Sequence, residues 1–85
     1  MTMVTVYTQP GCTQCKATIA FLDKHNLPHE VVDIREHPAL VDELTRVGRT
    51  TLPYVTVTRD ETQVDDWSGH NMYKLIELKR ATLTV

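Results

Sequence analysis

The chain has 85 residues, enough for one domain with a single modest hydrophobic core. Hydrophobic residues make up 41% and charged residues 24%, a balance that excludes an intrinsically disordered protein. The 9 Lys and Arg residues against 11 Asp and Glu give a formal net charge of -2, which argues against a general binder of nucleic acid or anionic membranes.

The first two predicted elements are a strand and a helix. Residues 3–7 alternate β-branched and aromatic side chains, which is typical of a strand, and Gln-Pro-Gly at 9–11 ends it. A helix is expected from Thr13 to about His25, a stretch without Gly or Pro. Its broad apolar set predicts a helix buried on much of its surface: Ala17, Ile19, Ala20, Phe21 and Leu22.

Five further elements follow. Residues 30–34 form the second strand, and Pro38 opens a second helix that Gly48 stops. Residues 54–57 form a third strand and residues 63–67 a weaker fourth, joined by a polar turn at 59–62. Apolar residues with helical spacing mark the second helix (Leu40, Val41, Leu44, Val47) and the last one (Met72, Leu75, Ile76).

The predicted order is therefore β-α-β-α-β-β-α. A right-handed βαβ unit makes the first two strands parallel, and the short turn makes the last two an antiparallel hairpin. The chain shows no repeat, linker or low-complexity segment, so we expect one α/β domain over residues 1–85. The N-terminal stretch has no basic region and no long apolar run, and the expected location is the cytoplasm.

Two cysteines lie between the first strand and the first helix, as Cys-Thr-Gln-Cys at 12–15. The unpaired N–H groups and the dipole at a helix N-terminus favour a thiolate, the reactive form of cysteine. Cys12, at the mouth of the helix, is expected to attack a partner disulfide. Cys15, one turn later on the same face, is expected to resolve the mixed disulfide.

Two other interpretations of the cysteine pair stay open. A zinc site needs about four ligands, and the histidines fall at no recognisable ligand spacing: His25, His29, His37 and His70. Two unpaired core thiols are the second possibility. The strand–CxxC–helix context favours redox chemistry over both.

The chain resembles the glutaredoxins and, more narrowly, the NrdH-redoxins, which pass electrons to class Ib ribonucleotide reductase. The resemblance lies in Tyr-Thr-x-Pro before the dithiol, Cys-x-Gln-Cys-x-Ala-Thr through it, Val-Val-Asp-Ile at 31–34, Pro53 and Trp-Ser-Gly at 67–69. It implies a thioredoxin-like sandwich with a four-stranded mixed sheet and three helices. It also implies a cis-proline at Pro53 that faces the dithiol.

The resemblance further implies a monomer without a bound cofactor that NADPH reduces through thioredoxin reductase. The residues expected to contact the partner are Tyr7, Thr13, Gln14, Thr51, Leu52, Pro53, Trp67, Ser68 and Gly69. Three of these have alternative interpretations: Tyr7 as a strand aromatic, Trp67 as a packing residue and Ser68 as a helix cap.

The chain departs from the pattern of the NrdH subgroup at the surface expected to contact the partner and keeps the residues of the dithiol chemistry. Gln9 stands where Lys is common, and His70 and Asn71 replace the usual aromatic residue and Arg after Trp-Ser-Gly. Without a cation at residue 9 and an acidic group before the last helix, we favour thioredoxin reductase over glutathione as reductant, although Lys16 and Arg49 are replacement cations. The alternatives are a glutathione-dependent glutaredoxin that reduces other protein disulfides and a non-catalytic thioredoxin-fold binding module.

Overall fold

The computed structural model describes residues 2–83, which form a four-stranded sheet and three α-helices. The predicted element order is confirmed, with a short 3₁₀ turn added before the second helix. Within these residues, no helix has the length and apolarity needed to cross a lipid bilayer. The elements are β1 (Thr2–Thr8), α1 (Thr13–Lys24), β2 (His29–Asp33), the 3₁₀ turn (Ile34–Glu36), α2 (Pro38–Arg46), β3 (Tyr54–Arg59), β4 (Thr62–Ser68) and α3 (Met72–Leu83).

The strands lie in the order β2-β1-β3-β4. β1 pairs in parallel with β2, with Val6 opposite Val31, and antiparallel with β3, with Val6 opposite Val55. β3 and β4 form an antiparallel hairpin. Both predicted pairings are confirmed, and the sheet is mixed because the crossover through α1 returns β2 parallel to β1.

Each face of the sheet has its own core. The main core joins the sheet to α1 and α3, and a second core joins the opposite face to α2 and the 3₁₀ turn. Alternation along β1 and β3 sends successive side chains to the two cores. The main core contains Val4, Val6, Leu22, Leu27, Val55, Val57, Trp67, Leu75 and Leu78; the second contains Ile34, Leu44 and Tyr54, with Tyr7, Leu40 and Leu52 packed against them.

Helix α1 is fully buried at three positions and partly buried at Ile19 and Phe21, which pack against the main core, so the prediction of broad burial is confirmed in part. The buried residues of α1 are Cys15, Thr18 and Leu22, which follow helical spacing along one side. Ala17 and Ala20 are exposed. The helix contacts the sheet on one side only, and small apolar residues are tolerated on the other.

Three boundaries that differ from the prediction are the end of β2, the end of α2 and the extent of the β3–β4 turn. Ile34 belongs to the 3₁₀ turn rather than to β2, since the Asp33 carboxylate accepts a hydrogen bond from the Arg35 N–H at 2.9 Å. Val47 lies beyond the end of α2 and is 56% exposed. In the β3–β4 hairpin only Asp60 and Glu61 form the turn, both at positive φ, as a two-residue turn of this kind requires.

Tyr54 connects the second core to charged groups on the neighbouring strand. Its hydroxyl donates to Asp66 Oδ2 at 2.8 Å, and Arg49 Nε lies 3.4 Å from the same oxygen. Burial, assisted by the hydrogen bond to Asp66, raises the pKa of Tyr54 to about 12. The folded protein therefore holds the phenol proton more tightly than the unfolded chain does.

We expect this proton to make stability depend on alkaline pH. The contribution is present in full below the ordinary phenol pKa of about 10 and is lost as the pH rises toward the folded value of about 12. Tyr54→Phe should therefore flatten the fall in unfolding free energy between about pH 9 and pH 11, measured by urea denaturation. Tyr73→Phe, at a tyrosine that is 85% exposed, is the control and should keep the wild-type slope. Equal slopes for wild type and Tyr54→Phe would contradict the assignment.

Candidate active site

Cys12 and Cys15 are joined by a disulfide, with their Cα atoms 5.2 Å apart. Cys12 is the N-cap of α1. Its backbone is extended, and the helix begins at the next residue. Its sulfur accepts a hydrogen bond from the Cys15 N–H at 3.1 Å. The sulfur of Cys12 thus occupies the place where a capping oxygen usually sits, facing the positive end of the helix dipole.

The two sulfurs differ in exposure. Cys12 is half-buried, whereas Cys15 is 1% exposed and packs inward from the first turn of α1. The first turn contains no acidic residue, so nothing in it opposes a thiolate at Cys12. This asymmetry is what an attacking and a resolving thiol require: one sulfur that a partner reaches, and one that reaches only its neighbour.

The loop before β3 lies beside the dithiol. The Leu52–Pro53 peptide bond is cis, Pro53 is buried, and Leu52 borders the same groove as Cys12. Two hydrogen bonds hold this loop. The Gly69 N–H donates to the Pro53 carbonyl at 2.8 Å, and the hydroxyl of Ser68, the last residue of β4, donates to the Thr51 carbonyl. These two bonds therefore fix the backbone of the loop before β3.

The same β4–α3 turn also contacts α1. The Gln14 side-chain oxygen accepts a hydrogen bond from the His70 N–H at 3.2 Å. Gly69 has φ +85°, and a Cβ there would be in ordinary van der Waals contact with the Thr51 methyl group at 3.4 Å and with Gln14 Oε1 at 3.7 Å. Five of the predicted contact residues thus form one connected network around the dithiol: Gln14, Thr51, Pro53, Ser68 and Gly69.

Tyr7 and Trp67 lie away from this network. Trp67 is 4% exposed and its side chain packs in the main core, and its partner contact stays a prediction. Its strand position decides this packing, because it pairs with Val55 on the inward face of the hairpin. Tyr7 stacks on Tyr54 with ring centroids 5.7 Å apart and meets His37 edge-on at 6.1 Å, within the second core.

The residues of the β4–α3 turn that depart from the family have structural partners. Thr18 on α1 is fully buried, and its hydroxyl shares a hydrogen bond of 2.8 Å with His70 Nδ1. The Asn71 side chain accepts hydrogen bonds from the N–H groups of Tyr73 at 3.1 Å and Lys74 at 3.3 Å, so Asn71 caps α3. Ser68 is therefore not the cap. The sequence could have predicted Asn71 as a helix cap, because Asn is a common capping residue at the start of a helix. It could not have predicted the Thr18–His70 hydrogen bond, because the two residues are 52 positions apart.

A groove of about 570 Å³ opens beside Cys12. The N-terminal end of α1 forms one side, and the 3₁₀ turn, α2 and the loop before β3 form the other. Among the described residues it is lined by Gln9, Cys12, Thr13, Gln14, Ile34, Arg35, Val41, Leu44, Thr45, Arg49, Thr50 and Leu52. The sequence predicted the dithiol side of this groove but not the side from residues 34–50, since its shape depends on how α2 packs.

No group of three or more His, Cys, Asp or Glu within residues 2–83 is arranged to hold a metal ion. The chemistry that this site offers is that of the sulfur pair and its surrounding backbone.

We expect the Thr18–His70 contact to stabilise the fold. Thr18→Val keeps the side-chain volume but removes the hydroxyl, and should lower the unfolding free energy by about 1 kcal/mol in urea. In a His70→Ala background the same change should cost clearly less, because the partner is already gone. Thr45→Val is the control: the Thr45 hydroxyl is exposed and bonds only a carbonyl of its own helix at 2.9 Å. An equal cost of Thr18→Val in both backgrounds would show that the pair is not coupled.

The sequence and fold are similar to those of known redox proteins. The glutaredoxin family model matches residues 4–61, a stretch that includes the dithiol, the loop with Pro53 and the β3 strand. The glutaredoxin-like protein NrdH of Lactococcus lactis subsp. lactis is 33% identical over 54 residues, which cover 64% of this chain and 75% of that protein.

A second group of relatives consists of longer proteins. The global transcriptional regulator Spx of Listeria innocua is 39% identical over 49 residues, which cover 58% of this chain and 37% of that protein. The chain therefore spans little more than a third of the length of this Spx relative.

Two solved structures show the likeness of fold. The NrdH-redoxin of Escherichia coli, described as glutaredoxin-like with a thioredoxin-like activity profile, superposes with a TM-score of 0.74 at 26% identity, covering 89% of this chain and 93% of that one. Thioredoxin f from spinach chloroplast has a TM-score of 0.73 at 20% identity, covering 98% of this chain and 77% of that one. The predicted thioredoxin-like fold and the resemblance to NrdH-redoxins are confirmed.

Proposed function

The chain belongs to the glutaredoxin family, and we propose that it is a thiol–disulfide oxidoreductase that reduces protein disulfides through Cys12 and Cys15. The observation that carries the proposal is the disulfide at the mouth of α1, with one sulfur bordering an open groove and the other buried. A non-catalytic binding module on the same scaffold has no use for this pair.

The proposed cycle transfers two electrons. The Cys12 thiolate attacks one sulfur of the partner disulfide, so that a mixed disulfide forms while the partner S–S bond breaks and the released thiolate takes up a proton. Cys15 then loses its proton and attacks Cys12 Sγ. This closes the Cys12–Cys15 disulfide and releases the second partner thiol. Two electrons from NADPH, delivered by a separate reductase, restore the dithiol.

Substitution of each cysteine should separate the two steps. Cys12→Ser should abolish insulin reduction, since no nucleophile then reaches the partner. Cys15→Ser should accumulate a mixed disulfide between Cys12 and the partner, visible by mass spectrometry. In the reduced wild type, iodoacetamide should modify Cys12 before Cys15. Faster alkylation of Cys15 would reverse the assignment of roles.

Within the family, we place the protein with electron donors to class Ib ribonucleotide reductase that are themselves reduced by thioredoxin reductase in the cytoplasm. The likeness to the two NrdH proteins supports this. Gln9 is neutral where a glutathione clamp uses a cation, and the first turn of α3 contains no acidic residue. The cations of the groove are Arg35 and Arg49, on its other side. The turn before α3 contains His70 and Asn71, neither of which is an acidic group for a glutamyl amine. Both residues are engaged in contacts within the chain.

The reductant can be tested directly. The oxidised protein is supplied with NADPH and thioredoxin reductase in one reaction, and with NADPH, glutathione and glutathione reductase in another. We expect insulin and class Ib ribonucleotide reductase to be reduced at least about tenfold faster in the first reaction, since each lost charged contact is worth roughly 1.4 kcal/mol or more. Cys12→Ser controls for background reduction. Fast turnover only with glutathione would place the protein among the glutathione-dependent glutaredoxins.

A further inference from the structure

The groove beside Cys12 differs in charge from the rest of the chain. The whole chain has a formal net charge of -2. Among the described residues that line the groove, Arg35 and Arg49 are the charged ones, and no Asp or Glu is present. The groove lining therefore offers guanidinium donors and no carboxylate, which suits a ligand that carries an anionic group.

Each arginine is held in place by a carboxylate. Arg35 donates to Asp33 through Nε at 3.1 and 3.2 Å and through Nη2 at 2.7 Å, while its side chain stays 63% exposed. Arg49 Nε lies 3.4 Å from Asp66 Oδ2, an oxygen that also accepts from the Tyr54 hydroxyl, and the Arg49 side chain is 41% exposed. Neither carboxylate is among the groove-lining residues. Both guanidinium groups are thus oriented before a ligand arrives, which lowers the entropy cost of binding one.

Apart from the arginines and Cys12, the groove is lined by neutral residues, some apolar and some polar. The polar ones are Gln9, Thr13, Gln14, Thr45 and Thr50. Ile34 and Leu44 form its buried part, Leu52 borders it beside the dithiol, and Val41 is 39% exposed at its rim. A ligand that fills this surface needs apolar side chains as well as acidic ones. An extended peptide segment supplies both, because its successive side chains point in opposite directions.

We propose that the groove binds a segment that flanks the partner's disulfide and carries acidic side chains, with Arg35 and Arg49 as the residues that determine this specificity. The inference rests on the proposed disulfide reductase function and deepens it by assigning a class of substrate. Partners with basic residues beside the disulfide meet two like charges at the groove and are reduced slowly.

The test uses short synthetic peptides that contain one intramolecular disulfide and differ only at the flanking positions, which are Glu, Gln or Lys. Stoichiometric reduced protein is mixed with each peptide, so that no reductase takes part, and peptide thiols are followed by mass spectrometry. We expect the Glu peptide to react about tenfold faster than the Gln peptide at low salt, and the Lys peptide to react slowest. The preference should shrink as ionic strength rises.

Arginine substitutions separate the groove from general electrostatics. Arg35→Gln and Arg49→Gln should each lower the Glu-to-Gln rate ratio about threefold, and the double variant should bring it close to one. Arg49→Lys keeps the charge and should keep most of the ratio. Arg46→Gln is the matched control, since Arg46 is an exposed α2 residue paired with Glu43 and does not line the groove. It should leave both the ratio and the activity unchanged.

The outcomes distinguish this inference from the function on which it rests. A wild-type protein that reduces no peptide contradicts the reductase function itself. Equal rates for the three peptides, or an equal loss of the ratio in Arg46→Gln, overturn the specificity and leave the reductase function standing. If Arg35→Gln and Arg49→Gln slow the reduction of glutathione disulfide and leave the peptide ratio intact, the occupant is a small anionic thiol and the inference is wrong. The Arg35 side chain is exposed, so Arg35→Gln is expected to fold. If Arg49→Gln does not fold, the rate ratio of Arg35→Gln alone tests the specificity.

Discussion

The hydrogen bonds made by the β4–α3 turn hold the site together. The Gly69 N–H donates to the Pro53 carbonyl, and the neighbouring His70 N–H donates to the Gln14 side chain. Two successive backbone groups thus connect three segments that are far apart in sequence: the dithiol helix, the loop before β3 and the last helix. The buried Thr18–His70 contact adds a second link one turn further along α1. These bonds fix α1 and the loop before β3 relative to each other, which suits a thiol that must meet a partner disulfide at a defined angle and distance.

The redox pair draws its asymmetry from the way α1 begins. The chain leaves β1, turns, and enters the helix with Cys12 as N-cap, so that one sulfur remains at the surface near unpaired backbone donors. One turn later the inward face of the helix carries Cys15 into the interior. A helix buried on a broader surface would have shielded both sulfurs, and one exposed all round would have left both open. The start of the helix therefore gives two chemically identical side chains a different exposure.

The groove adds a level of selectivity to a chemistry that is general for disulfides. Its apolar surface comes from the second core, and its charge comes from two arginines that are each oriented by a carboxylate outside the groove. Asp66 accepts a hydrogen bond from the buried Tyr54 hydroxyl, and the same carboxylate orients Arg49. Packing on the α2 face of the sheet and recognition at the dithiol are therefore connected through one carboxylate.

By itself, the sequence determined the features that depend on near neighbours along the chain. These are the order of elements, the parallel and antiparallel pairings, and a cysteine pair at the start of a helix, because strand alternation, helix breakers and crossover rules act over short distances. The tertiary structure decided which side of each element faces inward. It buried Trp67 in the core, left Ala17 and Ala20 exposed, and brought Arg35 and Arg49 to the same groove as Cys12. These outcomes depend on contacts between residues tens of positions apart, and only the packing of helices onto both faces of the sheet selects among the arrangements that the local pattern allows.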